Sequence, residues 1–273
     1  MSEARAPDAK LALAVEIGGR RWAVAEDGPG HDISIPLRFN APQPTFFGAA
    51  AASEQPLAAG SFVGDVRQGG SCNCSIHTFV PHCNGTHTEC VGHITRERMS
   101  VRNLAVHHLS AALLITVAPE PGPDGDKIIG LPTLQSAVRS HRLADYHALV
   151  VRTLPNDESK LTRDYDTKPP PPYFTTEAMS WIVEHGIETL VVDLPSIDRA
   201  QDGGRLAAHR IFWGVPQGGT SGALATRAHA TITEMAFIPN TVADGAYLLN
   251  LQVPPFMSDA APSRPILLPL TPA

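Results

Sequence analysis

The chain has 273 residues, of which 43% are hydrophobic and 18% are charged, and its formal net charge is −6. This length is enough for one large domain with a substantial core, and a mildly acidic chain without a dense Lys/Arg run argues against a nucleic-acid partner. The N-terminal apolar run at residues 11–15 is too short for a membrane span or a signal-peptide core. We therefore expect a cytoplasmic protein with no membrane or nucleic-acid partner, folded as a single domain over residues 1–273 with an N-terminal arm or hairpin at 1–30.

The first predicted elements are short and extended. Residues 11–25 surround a Gly-Gly turn that is typical of a hairpin. Residues 31–39 alternate between apolar and polar side chains, which predicts a strand, and Pro36 indicates a sheet edge or the end of that strand. Residues 41–71 are rich in Pro, Ala, Gly and Ser, so we expect loops with short extended pieces there.

Helices and strands alternate in the second half of the chain. Nearly continuous apolar runs predict buried strands at 110–119, 147–154 and 187–195, and a further strand is predicted near 247–253. Helical spacing predicts helices at 133–143, with Thr133 as the N-cap, and at 175–186, ended by Gly186. This alternation predicts an α/β fold.

All four cysteines lie between Cys72 and Cys90, in a segment that also contains several histidines. A disulfide scaffold would spread its cysteines along a short secreted chain, so this clustering favours metal chemistry or buried thiols. Structural zinc sites usually contain Cys-x-x-Cys pairs, whereas Cys72 and Cys74 are separated by a single residue. A structural zinc site made by the four cysteines nevertheless remains one hypothesis.

His87 and Glu89 offer a different kind of metal site. In a strand, residues two apart point to the same face, so both side chains can face one ion. Mixed nitrogen and oxygen ligation with an open position is what a hydrolytic metal centre needs.

The segment "CNGTHTECVGH", residues 83–93, resembles the signature of the cyclase-like metal-dependent hydrolases, the family of bacterial kynurenine formamidase and isatin hydrolase. That signature reads His-x-Gly-Thr-His-x-Asp-x-Pro-x-His. Three positions depart from it, because Cys83 replaces the first His, Glu89 the Asp and Val91 the Pro. Other segments are similar to the family in the same order along the chain: "DISIPL", "TTEAMSWIVEHGIETLVVDLPSID", "AAHRIFWG" and "ITEMAFI".

The resemblance implies an α/β swivelling β/β/α domain with a mixed, barrel-like sheet and flanking helices, often assembled as a homodimer or homotetramer. It implies these metal ligands: His87, Glu89, His209 and Glu234, with Cys83 or His82 in the first position. His93 would be the catalytic acid/base, Zn²⁺ the cofactor with Mn²⁺ possible, and a small molecule the substrate.

The implied activity is hydrolysis of a small amide, lactam or ester. Phe46 and Phe47 are expected either to wall the substrate pocket or to pack in the core. Residues 215–222 look like an inserted loop near the site. The altered signature also leaves open a member of the fold that has lost its metal and binds a ligand without catalysis.

Overall fold

The structure, a computed structural model, describes residues 13–25, 28–104, 109–167 and 169–273. Within these residues the chain forms three α-helices: α1 (Leu131–Val138), α2 (Thr176–Glu184) and α3 (Ala207–Trp213). The strands are β1 (Ala14–Ile17), β2 (Arg20–Val24), β3 (His31–Asp32), β4 (Ser53–Pro56), β5 (Ala58–Ala59), β6 (Phe62–Val63), β7 (Ser75–Thr78), β8 (His87–Glu89), β9 (Leu109–Val117), β10 (Glu120–Pro121), β11 (Lys127–Ile129), β12 (Ala148–Thr153), β13 (Tyr173–Phe174), β14 (Thr189–Val192), β15 (Thr231–Glu234), β16 (Gly245–Gln252), β17 (Ala260–Pro262) and β18 (Arg264–Pro272).

Eleven of these strands form one large mixed sheet. Its order is β1-β2-β18-β16-β9-β12-β14-β15-β8-β17, with β3 also paired to β18. The central strands β9, β12, β14 and β15 are parallel, and their neighbours on both sides are antiparallel. The predicted α/β class with a mixed sheet and flanking helices is thereby confirmed.

The central strands are apolar on both faces because both faces are covered. Leu113 and Leu149 belong to the core cluster that the three helices share with the sheet. The next residue on each strand, Leu114 and Val150, belongs to a second cluster on the opposite face. Alternate side chains thus serve two cores, which explains the continuous apolar runs that predicted these strands.

Two predicted helices are present, with one changed start. Helix α2 has Thr175 as its N-cap, whose hydroxyl accepts a hydrogen bond from the Ala178 amide at 3.2 Å. Helix α1 begins at Leu131 and not at Thr133, because Pro132 fits the first turn and Gly130 takes the cap position. The prediction of Thr133 as the N-cap was therefore wrong.

The N-terminal predictions hold in part. The Gly18-Gly19 turn joins β1 and β2 as predicted, whereas residues 1–12 and 26–27 of the proposed arm lie outside the described residues. The strand predicted at 31–39 was too long. It is reduced to β3 and one isolated bridge from Ser34 to Ala236, and the alternation reflects the burial of Ile33, in the second core cluster, and of Ile35.

Strand β8 determines where the functional residues meet. It lies between β15 and β17, and its register places His87 opposite Glu234 and Glu89 opposite Ile232. Residues that are distant in the chain therefore converge at this end of the sheet. No helix among the described residues is long and apolar enough to cross a bilayer.

Candidate metal centre

Four buried side chains converge beside β8, and we call them the inner cluster: His87, Glu89, His209 and Glu234. The register of β8 and β15 brings Nε2 of His87 to 3.5 Å from Oε2 of Glu234. Nε2 of His209 lies 3.0 Å from Oε1 of Glu89 and 3.7 Å from Oε1 of Glu234. The inner cluster therefore combines two imidazoles and two carboxylates within one small volume.

Hydrogen bonds from residues outside the inner cluster hold two of its side chains in place. Nδ1 of His209 lies 2.6 Å from Oδ2 of Asp198, whose carboxylate also accepts the backbone amides of Ala208 and His209. Oε1 of Glu234 accepts the Ile197 amide at 2.9 Å. These hydrogen bonds hold the start of α3 and the loop after β14 next to the inner cluster.

A second group, the outer cluster, consists of His82, His93 and Asp259. Oδ2 of Asp259 lies 2.9 Å from Nε2 of His82 and 3.5 Å from Nδ1 of His93. The two rings are tilted by 31° with centroids 4.3 Å apart. Their side chains are 22% and 29% exposed, so this cluster forms the open side of the centre.

Glu89 lies between the two clusters. Its Oε1 faces His209, while its Oε2 lies 3.1 Å from Nδ1 of His82 and 3.9 Å from Nε2 of His93. Ligand atoms of His82, Glu89 and His93 lie within 4.8 Å of one another, and so do those of His87, Glu89 and Glu234. Each group has the nitrogen and oxygen donors that suit Zn²⁺ or Mn²⁺.

Two buried atoms of the centre have no hydrogen-bond partner: Nε2 of His87 and Oε2 of Glu89. Nδ1 of His87 lies 2.9 Å from the Gly85 carbonyl, which can only accept a hydrogen bond, so Nε2 is the ring nitrogen left to meet a ligand. Leaving such atoms buried without a partner costs about 1–3 kcal/mol each. A divalent cation would satisfy both, so the residues present fit a metal.

The carboxylates and imidazoles of the two clusters shift one another's pKa values. Burial raises the pKa of Glu89, but the charges of His93 and His209, the hydrogen bond from His209 and the nearby ring of His82 outweigh it and lower that pKa well below its usual value. Burial lowers the pKa of His209, and Glu89 together with Asp198 raises it well above the usual value. Desolvation likewise opposes protonation of His82, but the hydrogen bond to Asp259 and the nearby Glu89 carboxylate raise its pKa to about 10. Without an ion, positive charge on His82 and His209 would offset part of the carboxylate charge, and a cation would supply that charge instead.

The residue at the signature's first position, Cys83, does not join either group of ligand atoms. Cys83 is buried but belongs to neither group of convergent ligand atoms, and burial raises the pKa of its thiol to about 11. The adjacent His82 joins the outer cluster instead. Cys72 and Cys74 are exposed while Cys83 and Cys90 are buried, and no cysteine enters either group among the described residues.

The two phenylalanines lie in different environments. Phe46 is 1% exposed and packs with Tyr165 and Met235, the neighbour of Glu234. Phe47 is 60% exposed, and its ring centroid lies 3.9 Å from that of Phe46. A substrate contact at Phe47 stays a prediction, while Phe46 is part of a small core.

The loop at 215–222 is hydrogen-bonded to the segment that follows His93. The Glu97 carboxylate accepts the Gly222 amide at 2.6 Å and the Ser221 hydroxyl at 3.0 Å, and the Arg96 amide donates to the Thr220 carbonyl at 2.7 Å. This loop thus connects the chain around His93 to the stretch between α3 and β15.

Asp198 and Asp259 are functional candidates that the sequence did not assign to the site. Asp198 ends the stretch "LPSID" after β14, and this position at a strand end was the available signal. Asp259 lies 177 residues from His82 in the chain, and "SDAAP" carries no local pattern that indicates a partner for histidines.

A family model described as "Putative cyclase" (Cyclase) matches residues 31–199. Among solved structures, isatin hydrolase A from Ralstonia solanacearum is 15% identical, with a TM-score of 0.63 over 88% of this chain and 91% of its own. Isatin hydrolase A from Labrenzia aggregata bound to benzyl benzoate is 13% identical, with a TM-score of 0.63 over 90% of this chain and 94% of its own. A predicted metal-dependent hydrolase from Bacillus stearothermophilus is 15% identical, with a TM-score of 0.58 over 88% and 97%.

Comparison with curated protein sequences gives no match. The structural likenesses show a shared fold, and the family match supports the same relationship from the sequence. Because the residues that match the family model make up more than half of the chain, the protein belongs to the Cyclase family.

Proposed function

We propose that the protein is a metal-dependent hydrolase that cleaves a small amide, lactam or ester. The observation that carries this proposal is the pair of unpartnered buried atoms, Nε2 of His87 and Oε2 of Glu89, within a cluster of nitrogen and oxygen donors. The names of the structural neighbours, isatin hydrolase and metal-dependent hydrolase, support the same class.

The inner cluster would hold the ion through His87, Glu89, His209 and Glu234. A bound Zn²⁺ or Mn²⁺ supplies a Lewis acid that lowers the pKa of a coordinated water and polarises a carbonyl. The chain's contribution is orientation: Asp198 holds Nδ1 of His209, and Gly85 holds Nδ1 of His87, so that both Nε2 atoms face inward.

His93 is the proposed proton carrier of the centre. Its Nδ1 faces Asp259 at 3.5 Å and its Nε2 faces Glu89 at 3.9 Å, on the exposed side where a substrate can arrive. An imidazole in this place can deliver a proton to the leaving nitrogen or oxygen. Phe47 is proposed as an exposed aromatic wall for a ring-bearing substrate.

Metal analysis tests this proposal directly. Protein stripped with a chelator should regain at least one equivalent of Zn²⁺ or Mn²⁺, and only the loaded protein should hydrolyse members of a panel of N-formyl amides, cyclic imides and lactones. Less than about a tenth of an equivalent, with no activity gained on adding either ion, would overturn it and favour a ligand-binding member of the fold.

Asp198→Asn tests the orientation of the inner cluster. The change removes the carboxylate that holds Nδ1 of His209, so the affinity of the inner cluster for the metal ion should fall about 10–100-fold, as measured by isothermal titration calorimetry. Asp157→Asn alters an exposed carboxylate outside both clusters and serves as the control. Equal affinity in the two variants would remove Asp198 from this role.

A further inference from the structure

We propose that Lys160 is a positioning residue of the metal centre, acting through Asp193 and the loop that Asp193 begins. This loop, residues 193–198, follows β14, and all of its residues are buried. Lys160 belongs to neither cluster, so it would act on the inner cluster only through this loop. The inference rests on the proposed function, because it concerns the arrangement of the same metal ligands.

The 193–198 loop holds two of the inner side chains. Its Ile197 amide donates to Oε1 of Glu234 at 2.9 Å. Its Asp198 carboxylate lies 2.6 Å from Nδ1 of His209 and accepts the His209 amide at 3.1 Å. A displacement of this loop would therefore move the partners of two metal ligands at once.

The loop also holds the backbone that follows Glu234. Its Leu194 carbonyl accepts the Met235 amide at 2.8 Å. Met235 is fully buried and has a φ of 54°, in the left-handed region that non-glycine residues rarely adopt. Such a conformation persists only where the surrounding structure fixes it. The position of Glu234 thus depends on the loop through both its side chain and its backbone.

Asp193 holds the start of the loop in a buried polar network. Its Oδ2 accepts the Thr153 amide at 2.8 Å and lies 2.7 Å from Nζ of Lys160, and its Oδ1 accepts the Thr153 hydroxyl at 2.9 Å. Nζ of Lys160 also donates to the Thr153 carbonyl at 2.8 Å and to Oδ1 of Asn156 at 3.1 Å. The Lys160 and Asp193 side chains are 9% and 0% exposed, so each charge depends on the other for compensation.

Burial explains why the Asp193 carboxylate needs the ammonium group. Burial raises the pKa of Asp193, and the charge of Lys160 and the hydrogen bonds from Lys160 and Thr153 only partly offset it. Without Lys160 the buried carboxylate would lose its counter-charge, and it would take up a proton or turn towards another donor. Either change alters the hydrogen bonds that hold the start of the loop.

A second motif of the same design provides an internal control. Asp244 accepts the Thr116 amide at 2.8 Å and the Thr116 hydroxyl at 2.6 Å, and it lies 2.9 Å from Nη2 of Arg152. Arg152, which is also buried, donates to the carbonyls of Pro239 and Val242 at 2.8 Å. This motif therefore holds the segment that leads into β16, which contributes no residue to either cluster.

Metal affinity compares the two motifs in the full chain, with Zn²⁺ as the probe in a calorimetric titration. Lys160→Met removes the ammonium group but keeps a side chain of similar length, and it should weaken Zn²⁺ binding about tenfold, the lower end of the range for partners of metal ligands. Arg152→Met should leave the affinity unchanged. Both variants lose a buried cation and should have lower melting temperatures, so a loss of stability alone cannot explain a difference in affinity.

A spectroscopic measurement separates positioning from general stability. Visible absorption of the Co²⁺-loaded protein reports the coordination geometry of the ion. The spectrum of Lys160→Met should differ from that of wild type, whereas the spectrum of Arg152→Met should match it. Equal spectra and equal Zn²⁺ affinities in all three proteins would overturn the role of Lys160 and leave the proposed function standing.

The metal-free protein provides a readout that does not depend on an ion. The NMR signal of the Ile197 amide, which donates to Glu234, should shift in Lys160→Met and stay in place in Arg152→Met. A wild type that binds no Zn²⁺ overturns the proposed function. An unshifted Ile197 signal in Lys160→Met overturns the inference in either case.

Thr153→Val decides the matter if Lys160→Met does not fold, because it keeps both charges of the motif. It removes the hydroxyl that Oδ1 of Asp193 accepts, so the Zn²⁺ affinity and the amide signal should change in the same direction by a smaller amount. Thr116→Val removes the matching hydroxyl of the second motif and should leave both unchanged. Equal effects of the two threonine variants would show that Lys160 has no special part in positioning the metal ligands.

Discussion

The ligand-rich stretch from Cys72 to His93 contains two regions with similar residues and opposite environments. Residues 72–78 are exposed, whereas residues 83–91 are buried. Each region contributes to a Glu–His pair of similar length: His77–Glu54 at 3.2 Å, with both side chains more than 40% exposed, and His209–Glu89 at 3.0 Å, with both about 2% exposed or less. Residue types alone therefore do not locate a metal site; burial and convergence do.

The difference comes from the strands that carry the two regions. Strand β7 pairs with β4 alone, and all four of its residues are exposed. Strand β8 lies within the large sheet, between β15 and β17, and all three of its residues are buried. Water screens charges on β7, while charges on β8 have only one another for compensation.

The largest expected effect separates the two Glu–His pairs. Glu89→Gln removes the charge that compensates His209, and we expect the free energy of unfolding of the metal-free protein to fall by about 3–5 kcal/mol. Glu54→Gln changes an exposed pair and should cost less than about 1 kcal/mol. Urea unfolding of both variants measures this, and equal losses would contradict the comparison.

A smaller effect is expected from two threonines. The Thr86 hydroxyl accepts the Ile35 amide at 2.8 Å and donates to the Met235 carbonyl at 2.5 Å. Thr86→Val leaves both buried groups without this partner and should destabilise the protein by about 1–3 kcal/mol. Thr78→Val on exposed β7 should stay within about 0.5 kcal/mol in the same denaturation experiment. A Thr86→Val protein as stable as the Thr78→Val protein would show that the bonds are replaced by other partners.

The smallest effects concern the cysteines. Replacing both Cys72 and Cys74 by serine should leave the melting temperature and the metal content unchanged, because both side chains are exposed and outside the clusters. Cys90→Ser buries a hydroxyl and should lower the melting temperature by about 2–4 °C if it costs about 1 kcal/mol. Unfolding of the double variant would instead revive the structural zinc hypothesis.

Local patterns predicted much of the fold. Strands β9 and β12 and helix α2 are long enough for their apolar pattern and their caps to determine them. The strand predicted at 31–39 was too long, because burial of Ile33 and Ile35 produces alternation beyond β3 without a continuous ladder.

The site was less predictable than the fold. The sequence could not distinguish His82 from Cys83 as a candidate ligand, since they are adjacent and only the backbone path decides which one faces the cluster. Asp259 could not be predicted from the sequence. It lies next to the histidines only because β17, which follows it, pairs with β8. A resemblance to known relatives supplied the distant His209 and Glu234, which no local pattern connects to β8.

The position of β8 in the sheet has a consequence for how the protein acquires its metal. Pairing β8 with β15 joins Thr88 to Thr233, 145 residues apart, and the contact of His209 with Glu89 spans 120 residues. Contacts of such long range are slow to form, because the chain must close large loops before it gains any stabilisation. The complete set of donors therefore exists only in a chain whose sheet has been assembled to its last strands. Metal uptake during refolding should consequently lag behind the formation of helices, so that a fluorescent zinc indicator would report the final step of assembly.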